Sequence, residues 1–405
     1  MAMQVPLFAR QAIYDKKMQV VAYELLFRHS EENVAQFVDG DQASSQVLLR
    51  AFGEHRLDEI TENKRAFVNF TKTLILSPPM LPPEKLVIEV LENVRADDQV
   101  IAALASLEEK GFHIALDDFF ITKETKKMLA YAKIIKIDVL NTEQEKLRKY
   151  VQTLKPMKFI LLAEKIETHE MMQRCIELGF DYFQGYFLCK PQIVRGVKIS
   201  EGKLSTLRLL SVLQDESTPF DKIVEAIATD ATLSYKILRL VNSSAMAVPV
   251  EIKSLNQAVS MLGFKAIRNW ASYLLMANCS DKPKDLATIS MSRAKFCELL
   301  GGEIGGKKLA EQCFTVALLS GLDAFLDMPM NELLSKINVA EDIKKALEKS
   351  EGQAGEILDI ALNYERGNWN HISWKKVASL GVSEDKMLAL YADAVSWASE
   401  ISQFQ

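Results

Sequence analysis

Residues His113 to Phe120 read HIALDDFF, an apolar, β-prone run that ends in two adjacent carboxylates, Asp117 and Asp118. Two acids side by side at the end of a buried strand repel each other. They are costly to desolvate unless a cation or strong donors meet them. An isolated pair of this kind is more often a strand end facing water, or a cap for the next helix. This pair is not isolated. Glu24 lies in VVAYELLFR, Asn69 in AFVNF, Glu89 in LVIEVLE, Lys136 in IIKID and Glu164 in ILLAE. Each of these runs carries a polar or charged residue inside it or at its end.

Outward from that stretch, short apolar runs alternate with helical patterns. Strands are predicted over 7–14, 20–28, 66–71, 86–91, 113–118, 134–139, 158–164 and 182–188, with helices near 42–54, 97–110, 123–132, 143–154 and 168–178. The strand runs are nearly continuous in apolar residues, as expected of strands covered on both faces. Strands separated by helices of this length imply βα units and a parallel sheet. The first two runs are joined by the short polar turn DKKMQ and predict an antiparallel hairpin. About eight strands imply a closed TIM-like (β/α)8 barrel, irregular at its start, with its reacting groups at the C-terminal strand ends.

The segment GVKISEGKLSTLR marks a boundary, giving a barrel domain over 1–200 and an all-α domain over 201–405. Beyond Leu204 the β pattern stops. Apolar residues recur at helical spacing over 204–213, 220–229, 233–242, 255–262 and 264–277, then near 284–300, 308–321, 330–338, 340–349, 353–366 and 384–402. Ser217-Thr218, Asp230 and Ser383 stand where helix caps belong.

The 405 residues are long enough for two domains, and 48% hydrophobic with 25% charged is ordinary for a globular chain. A net charge of −5 gives no global basic surface for nucleic acid or anionic membrane. No apolar run approaches the length of a membrane span, and MAMQVPLFAR lacks the apolar core of a signal peptide. The five cysteines, odd in number and without a CxxC pair, read as reduced cytosolic thiols. A cytoplasmic protein without direct nucleic-acid or membrane contacts is expected.

Acids and an amide converging on one barrel mouth make an oxygen-rich site suited to hard cations such as Mg²⁺ or Mn²⁺. Histidine is sparse in this half (His29, His55, His113, His169) and never in metal-ligand spacing, which disfavours zinc. Lys136 adds one positive charge for a phosphate or a metal-bound hydroxide. Such a set fits metal-assisted phosphoester hydrolysis, with paired cations activating water. Taken singly each residue is more often structural; Lys136 and Asp138 read equally well as a simple ion pair.

The order of motifs resembles the EAL domain, the cyclic-di-GMP phosphodiesterase barrel. The naming motif reads Glu24-Leu25-Leu26 and runs on to Arg28. The others follow as Asn69-Phe70-Thr71, Glu89-Val90-Leu91-Glu92, Asp117-Asp118-Phe119, Lys136-Ile137-Asp138, Glu164-Lys165-Ile166-Glu167 and Gln184-Gly185-Tyr186. The resemblance implies two cations. Glu24, Asn69, Glu89 and Asp117 hold the first, and Asp118 holds the second. It gives Lys136 the nucleophilic water, Glu164 the role of general base or metal ligand, and Arg28, Leu26 and Gln184 contacts to substrate. The implied product is linear pGpG. Two departures stand out. The loop after the acids reads DFFITKET, without the glycines this family carries, so the loop anchor Glu92 is expected to lack its partner; and Lys165 stands where the motif has glycine. Weak or regulated hydrolysis, or binding without turnover, is the expectation. Such barrels often dimerise through this loop, so a homodimer is implied too.

The run IATDATLSYKILRLVNSSA with IKSLNQAVSMLGFKAIRNW resembles the HDOD domain, an all-α module related to HD phosphohydrolases but without their metal centre; the matching residues are Asp230, Leu233, Leu238, Asn242-Ser243, Ser254, Ala258 and Leu262-Gly263. The composition agrees, since residues 200–405 contain one histidine, His371. Asn242 and Ser243 read as helix caps before they read as a ligand pocket, and Trp270 and Trp369 as core. The pairing of the two modules is that of YuxH-type bacterial signalling proteins and implies a regulator of motility, biofilm or virulence with an unknown protein partner on the HDOD half. Three functions follow: a phosphodiesterase, a cyclic-di-GMP receptor without turnover, or a protein-interaction scaffold.

Overall fold

The computed structural model describes residues 7–27, 56–78, 82–123, 125–192, 201–215, 217–243, 250–279 and 282–402. The chain divides into two compact units, Met1–Phe187 with Glu365–Trp369, and Leu188–Tyr364 with Asn370–Gln405.

The first unit is a closed eight-stranded barrel in sequence order: β1 Phe8–Asp15, β2 Val20–Phe27, β3 Arg65–Phe70, β4 Leu86–Val90, β5 His113–Leu116, β6 Ile134–Asp138, β7 Ile160–Ile166 and β8 Tyr182–Gly185. β1 runs antiparallel to β2 and to β8, and the other neighbours are parallel. The expected hairpin and barrel are both present. The expected helix over 42–54 lies outside the described residues.

One buried layer closes the barrel below its mouth: Ile13, Ala22, Phe67, Val87, Ala115, Ile134 and Leu162, one residue from each of seven strands. Side chains alternate along a strand, so the residue two positions on shares its face and stands one layer higher. Two residues beyond Ala22, Phe67, Val87, Ala115, Ile134 and Leu162 stand Glu24, Asn69, Glu89, Asp117, Lys136 and Glu164. The strand period alone therefore stacks the polar set on the apolar floor, toward the C-terminal strand ends.

The helices around the barrel carry local stop and start signals. Asp97 accepts from the Val100 amide to cap Asp98–Glu109, and Thr168 accepts from the Met171 amide to cap His169–Leu178. Gly179, at φ 103°, ends the latter in the left-handed conformation glycine adopts without strain.

Two expectations need correction. β5 stops at Leu116, so Asp117 and Asp118 lie in a turn. There the Asp117 amide donates to Val90 O at 3.0 Å and the Phe119 amide to Lys136 O at 3.4 Å, and Asp118 takes a φ of 39°. The predicted helix over 123–132 is instead a 3-10 helix, Thr125–Ala130. Its start is tied locally: the Thr125 hydroxyl donates to Phe120 O at 2.7 Å and accepts from the Thr122 amide at 2.9 Å. Such side-chain bonds to nearby backbone compete with the helical pattern.

The second unit is all-α among its described residues. The run Lys284–Leu319 is broken where Gly305 and Gly306 leave helical dihedrals, with Gly306 at φ 71°. The chain folds back there, so that a Cβ on Gly301 would lie 2.9 Å from Cys313 Sγ and 3.1 Å from Ala310 Cα. The predicted separation into 284–300 and 308–321 reflects this break. The stretch Lys284–Leu326 is apolar and long enough to cross a membrane by composition, but its apolar window is 72% buried inside this unit, as in a core helix. Trp270 is core, with its ring centroid 5.6 Å from that of Trp397. Trp369, also expected in the core, is half-buried.

Candidate functional site

The inward layer above the apolar floor gathers four carboxylates around one ammonium. Lys136 Nζ lies 3.3 Å from Glu24 Oε2, 2.6 Å from Glu164 Oε1 and 3.4 Å from Asp117 Oδ1, and it also contacts Glu89 Oε1. The lysine side chain is 1% exposed. One oxygen each from Glu24, Glu89 and Glu164 lie within 4.8 Å of one another; among the described residues this is the acidic group close enough to share a metal ion.

β8 and β1 complete the ring. The Gln184 amide donates to Glu24 Oε2 at 2.6 Å and to Gln11 Oε1 at 2.9 Å. Gln11 was not anticipated. It lies opposite Glu24 in the β1–β2 ladder, and the polar residue inside FARQAIYD is the signal that marks it.

Four acids against one lysine leave a formal charge of −3, and burial makes that surplus costly. Burial, then Glu24, hold the Glu89 carboxyl well above the usual carboxylate range, against the pull of Lys136. Burial likewise pushes Glu164 up to about 8. Burial works against the charge on Lys136, but Glu164, Glu24, Glu89 and Asp117 outweigh it and hold its pKa well above that of a free lysine.

Three buried acceptor oxygens here have no hydrogen-bond partner among the described residues: Asn69 Oδ1, Glu89 Oε2 and Gln184 Oε1. A cluster with a surplus of carboxylates and with orphaned acceptor oxygens is the donor set a hard divalent cation takes. The residues present therefore fit such an ion, with Glu24, Glu89 and Glu164 carrying the oxygens close enough together to share it.

Asp118 stands apart from this cluster. Its Oδ2 lies 3.5 Å from the Lys165 ammonium, which also pairs with Asp138 Oδ2 at 2.6 Å. Asp138 is thus the partner of Lys165, not of Lys136, and its Oδ1 accepts from the Leu140 and Asn141 amides at 2.9 Å each. Leu26 is half-buried at the end of β2, while Arg28 lies outside the described residues. Glu92 is exposed and pairs with no side chain among the described residues. The glycine-free loop has pins of its own: the Tyr150 hydroxyl donates to Phe119 O at 2.5 Å, and its ring lies 5.7 Å from that of Phe120.

In the second unit Asn242 ends the helix Ala231–Val241 and clamps the chain ten residues on. Its Oδ1 accepts from the Ile252 amide at 2.7 Å, and its Nδ2 donates to Ile252 O and Leu238 O at 2.8 Å. The capping reading describes it.

The EAL domain family matches residues 56–191, and the HDOD domain family matches residues 204–359. The "uncharacterized protein YuxH" of Bacillus subtilis is 34% identical over 96% of this chain and 97% of its own length. The cyclic di-GMP phosphodiesterase CdgJ of Vibrio cholerae is 31% identical over 98% of this chain and 93% of its own. Among solved structures, the manganese and cy-diGMP complex of Klebsiella pneumoniae BlrP1 aligns at 23% identity and a TM-score of 0.38, over 46% of this chain and 56% of that one. Identity at this level along nearly the whole chain, with both domain families in order, is decisive: the chain belongs to the family, with YuxH and CdgJ, that joins an EAL barrel to an HDOD domain.

Proposed function

We propose that the barrel is a divalent-cation-dependent phosphodiesterase that hydrolyses cyclic-di-GMP to linear pGpG. The observation that carries this reading is the ring of Glu24, Glu89, Asp117 and Glu164 around the buried Lys136, with orphaned oxygens on Asn69, Glu89 and Gln184. The kinship with CdgJ supports the substrate.

Glu24, Asn69, Glu89 and Asp117 hold the cation, Mg²⁺ or Mn²⁺. When bound, the ion polarises the phosphoester and lowers the pKa of water. Gln184 fixes Glu24 through its 2.6 Å bond, so the ligand oxygen does not have to reorganise. Lys136 Nζ orients the attacking water, and its positive charge faces the charge that builds on phosphorus-bound oxygen. Glu164 takes the water proton at Oε1 as the water oxygen bonds to phosphorus, the P–O3′ bond breaks and the leaving 3′ oxygen takes up a proton from solvent. Leu26 and Arg28 contact the dinucleotide.

The all-α half, with a division near residue 200, is read as the side that takes a protein partner, and a homodimer of the barrel rests on the resemblance alone. The five cysteines are all free, which supports a reducing, cytoplasmic setting. A second reading, reception of cyclic-di-GMP without turnover, is favoured by the engagement of Asp118 with Lys165.

Purified protein incubated with cyclic-di-GMP and Mg²⁺ or Mn²⁺, followed by chromatography, separates the two. The proposal expects pGpG that disappears in Glu24→Ala. Tight dinucleotide binding without product means a receptor, and turnover unchanged in Glu24→Ala ends the site assignment.

A further inference from the structure

We propose that Lys165 is a built-in cation at the barrel mouth, and that its ammonium limits this site to one divalent ion. The inference rests on the cation-dependent reading above and deepens it.

Lys165 occupies an unusual backbone position. The β7–β8 register shifts between Ala163 and Ile166, so Lys165 lies at a bulge, and its φ is 58°. Bulges next to active sites re-aim side chains, and a left-handed conformation in a residue other than glycine or asparagine carries strain that the surroundings must hold in place. Here the result is specific. The side chain is turned onto the two carboxylates outside the deep cluster, at 2.6 Å from Asp138 Oδ2 and 3.5 Å from Asp118 Oδ2.

Asp138 is rigid. Its Oδ1 takes two backbone amides and its Oδ2 also accepts from Asn141 Nδ2 at 2.7 Å. A fixed acid therefore fixes the ammonium, and the ammonium draws on Asp118. Charge decides the outcome. The deep cluster holds four carboxylates against Lys136, a formal −3 that a divalent ion relieves. The outer pair holds two carboxylates against Lys165, a formal −1 already compensated at short range. A second divalent ion at Asp118 would have to displace an ammonium that bonds both acids, and would meet its repulsion at close quarters. Lys165 instead presents its own positive charge to a bound phosphoester on that side.

Mn²⁺ stoichiometry tests this without reference to activity. Titration calorimetry and electron paramagnetic resonance of the full chain are expected to show one Mn²⁺ in the wild type, one in Lys165→Arg, and two in Lys165→Gly, with a spin-coupled pair only in the last. Glycine suits the left-handed backbone, so that variant is expected to fold; Lys165→Asn, which also tolerates it, should give the same doubling. Two ions in the wild type, or one in both Lys165→Gly and Lys165→Asn, overturns the inference and leaves the phosphodiesterase reading intact. No bound Mn²⁺ in the wild type overturns both. One ion bound with no pGpG formed overturns only the hydrolytic reading.

Discussion

Asn69 and Glu89 stand opposite each other in the β3–β4 ladder, and each leaves a buried oxygen without a hydrogen-bond partner among the described residues. Unsatisfied buried acceptors cost on the order of 1–3 kcal/mol each, so a cation that meets them would stabilise this face of the barrel. Glu89→Gln removes one surplus charge and supplies an amide donor. The metal-free variant is expected to melt no lower than the wild type, while the rise in melting temperature on adding Mn²⁺ is lost. Saturating ion at a hundredfold above its dissociation constant would give the wild type about 2.7 kcal/mol. Differential scanning calorimetry with and without Mn²⁺ checks it, and an undiminished rise in the variant refutes it.

Lys136→Met leaves the buried Glu24, Glu89 and Glu164 and the half-buried Asp117 with no internal cation. Breaking such a cluster by removing one partner costs roughly 3–5 kcal/mol. The loss must depend on pH. Glu89 and Glu164 have folded pKa values above 4.5, so the stability their protonated forms contribute is fully present below 4.5 and is lost as pH rises, up to about 8 for Glu164. Without Lys136 that loss is no longer offset. The variant should fall further below the wild type at pH 8 than at pH 5.5 in thermal unfolding, and an equal gap at both would sink the account.

At the other end of β5, His113 lies against Arg65 and Lys133. Partial burial, then these two cations, hold its pKa down at about 4 instead of 6.5. A depressed folded value contributes stability that is present above pH 6.5 and lost as pH falls through about 4. His113→Gln is expected to flatten the fall in melting temperature between pH 6.5 and pH 4.

Asn242→Ala removes three hydrogen bonds to backbone, at 2.7 to 2.8 Å, two of which tie Ile252 to a helix end while the third returns to Leu238 O. At about 1 kcal/mol each, discounted for exposure, a loss near 2 kcal/mol is expected in denaturant unfolding. Asn242→Asp keeps the acceptor for the Ile252 amide and should recover part of it.

The barrel was legible because its signal is redundant. Apolar runs of strand length recur with a polar residue in each, and the period of the strand places Glu24, Glu89 and Lys136 above Ala22, Val87 and Ile134 without any tertiary information. The partners of those residues were less legible. Lys136 and Asp138 are two apart in sequence and read as a pair, yet each is claimed by a group from another strand or loop. The aim of Lys165 follows from a bulge and a positive φ, neither of which ILLAEKIE encodes locally. Likewise the Thr122–Thr125 bonds that shorten the expected helix over 123–132 are one local geometry among several that a polar loop offers.

The reversed direction of β1 has a practical consequence. Phe8 pairs with Phe27, the last residue of β2, so the first strand is threaded into the barrel from the rim where the acids lie and leaves through the floor at Asp15. Phe8 therefore starts its strand at the acid-lined rim and not at the closed end. A tag fused ahead of Phe8 is attached on the side of the acid-lined rim, whereas the same tag after Ser402 begins from a helix of the other unit. Comparing turnover between the two placements is therefore a control that any assay of this barrel needs.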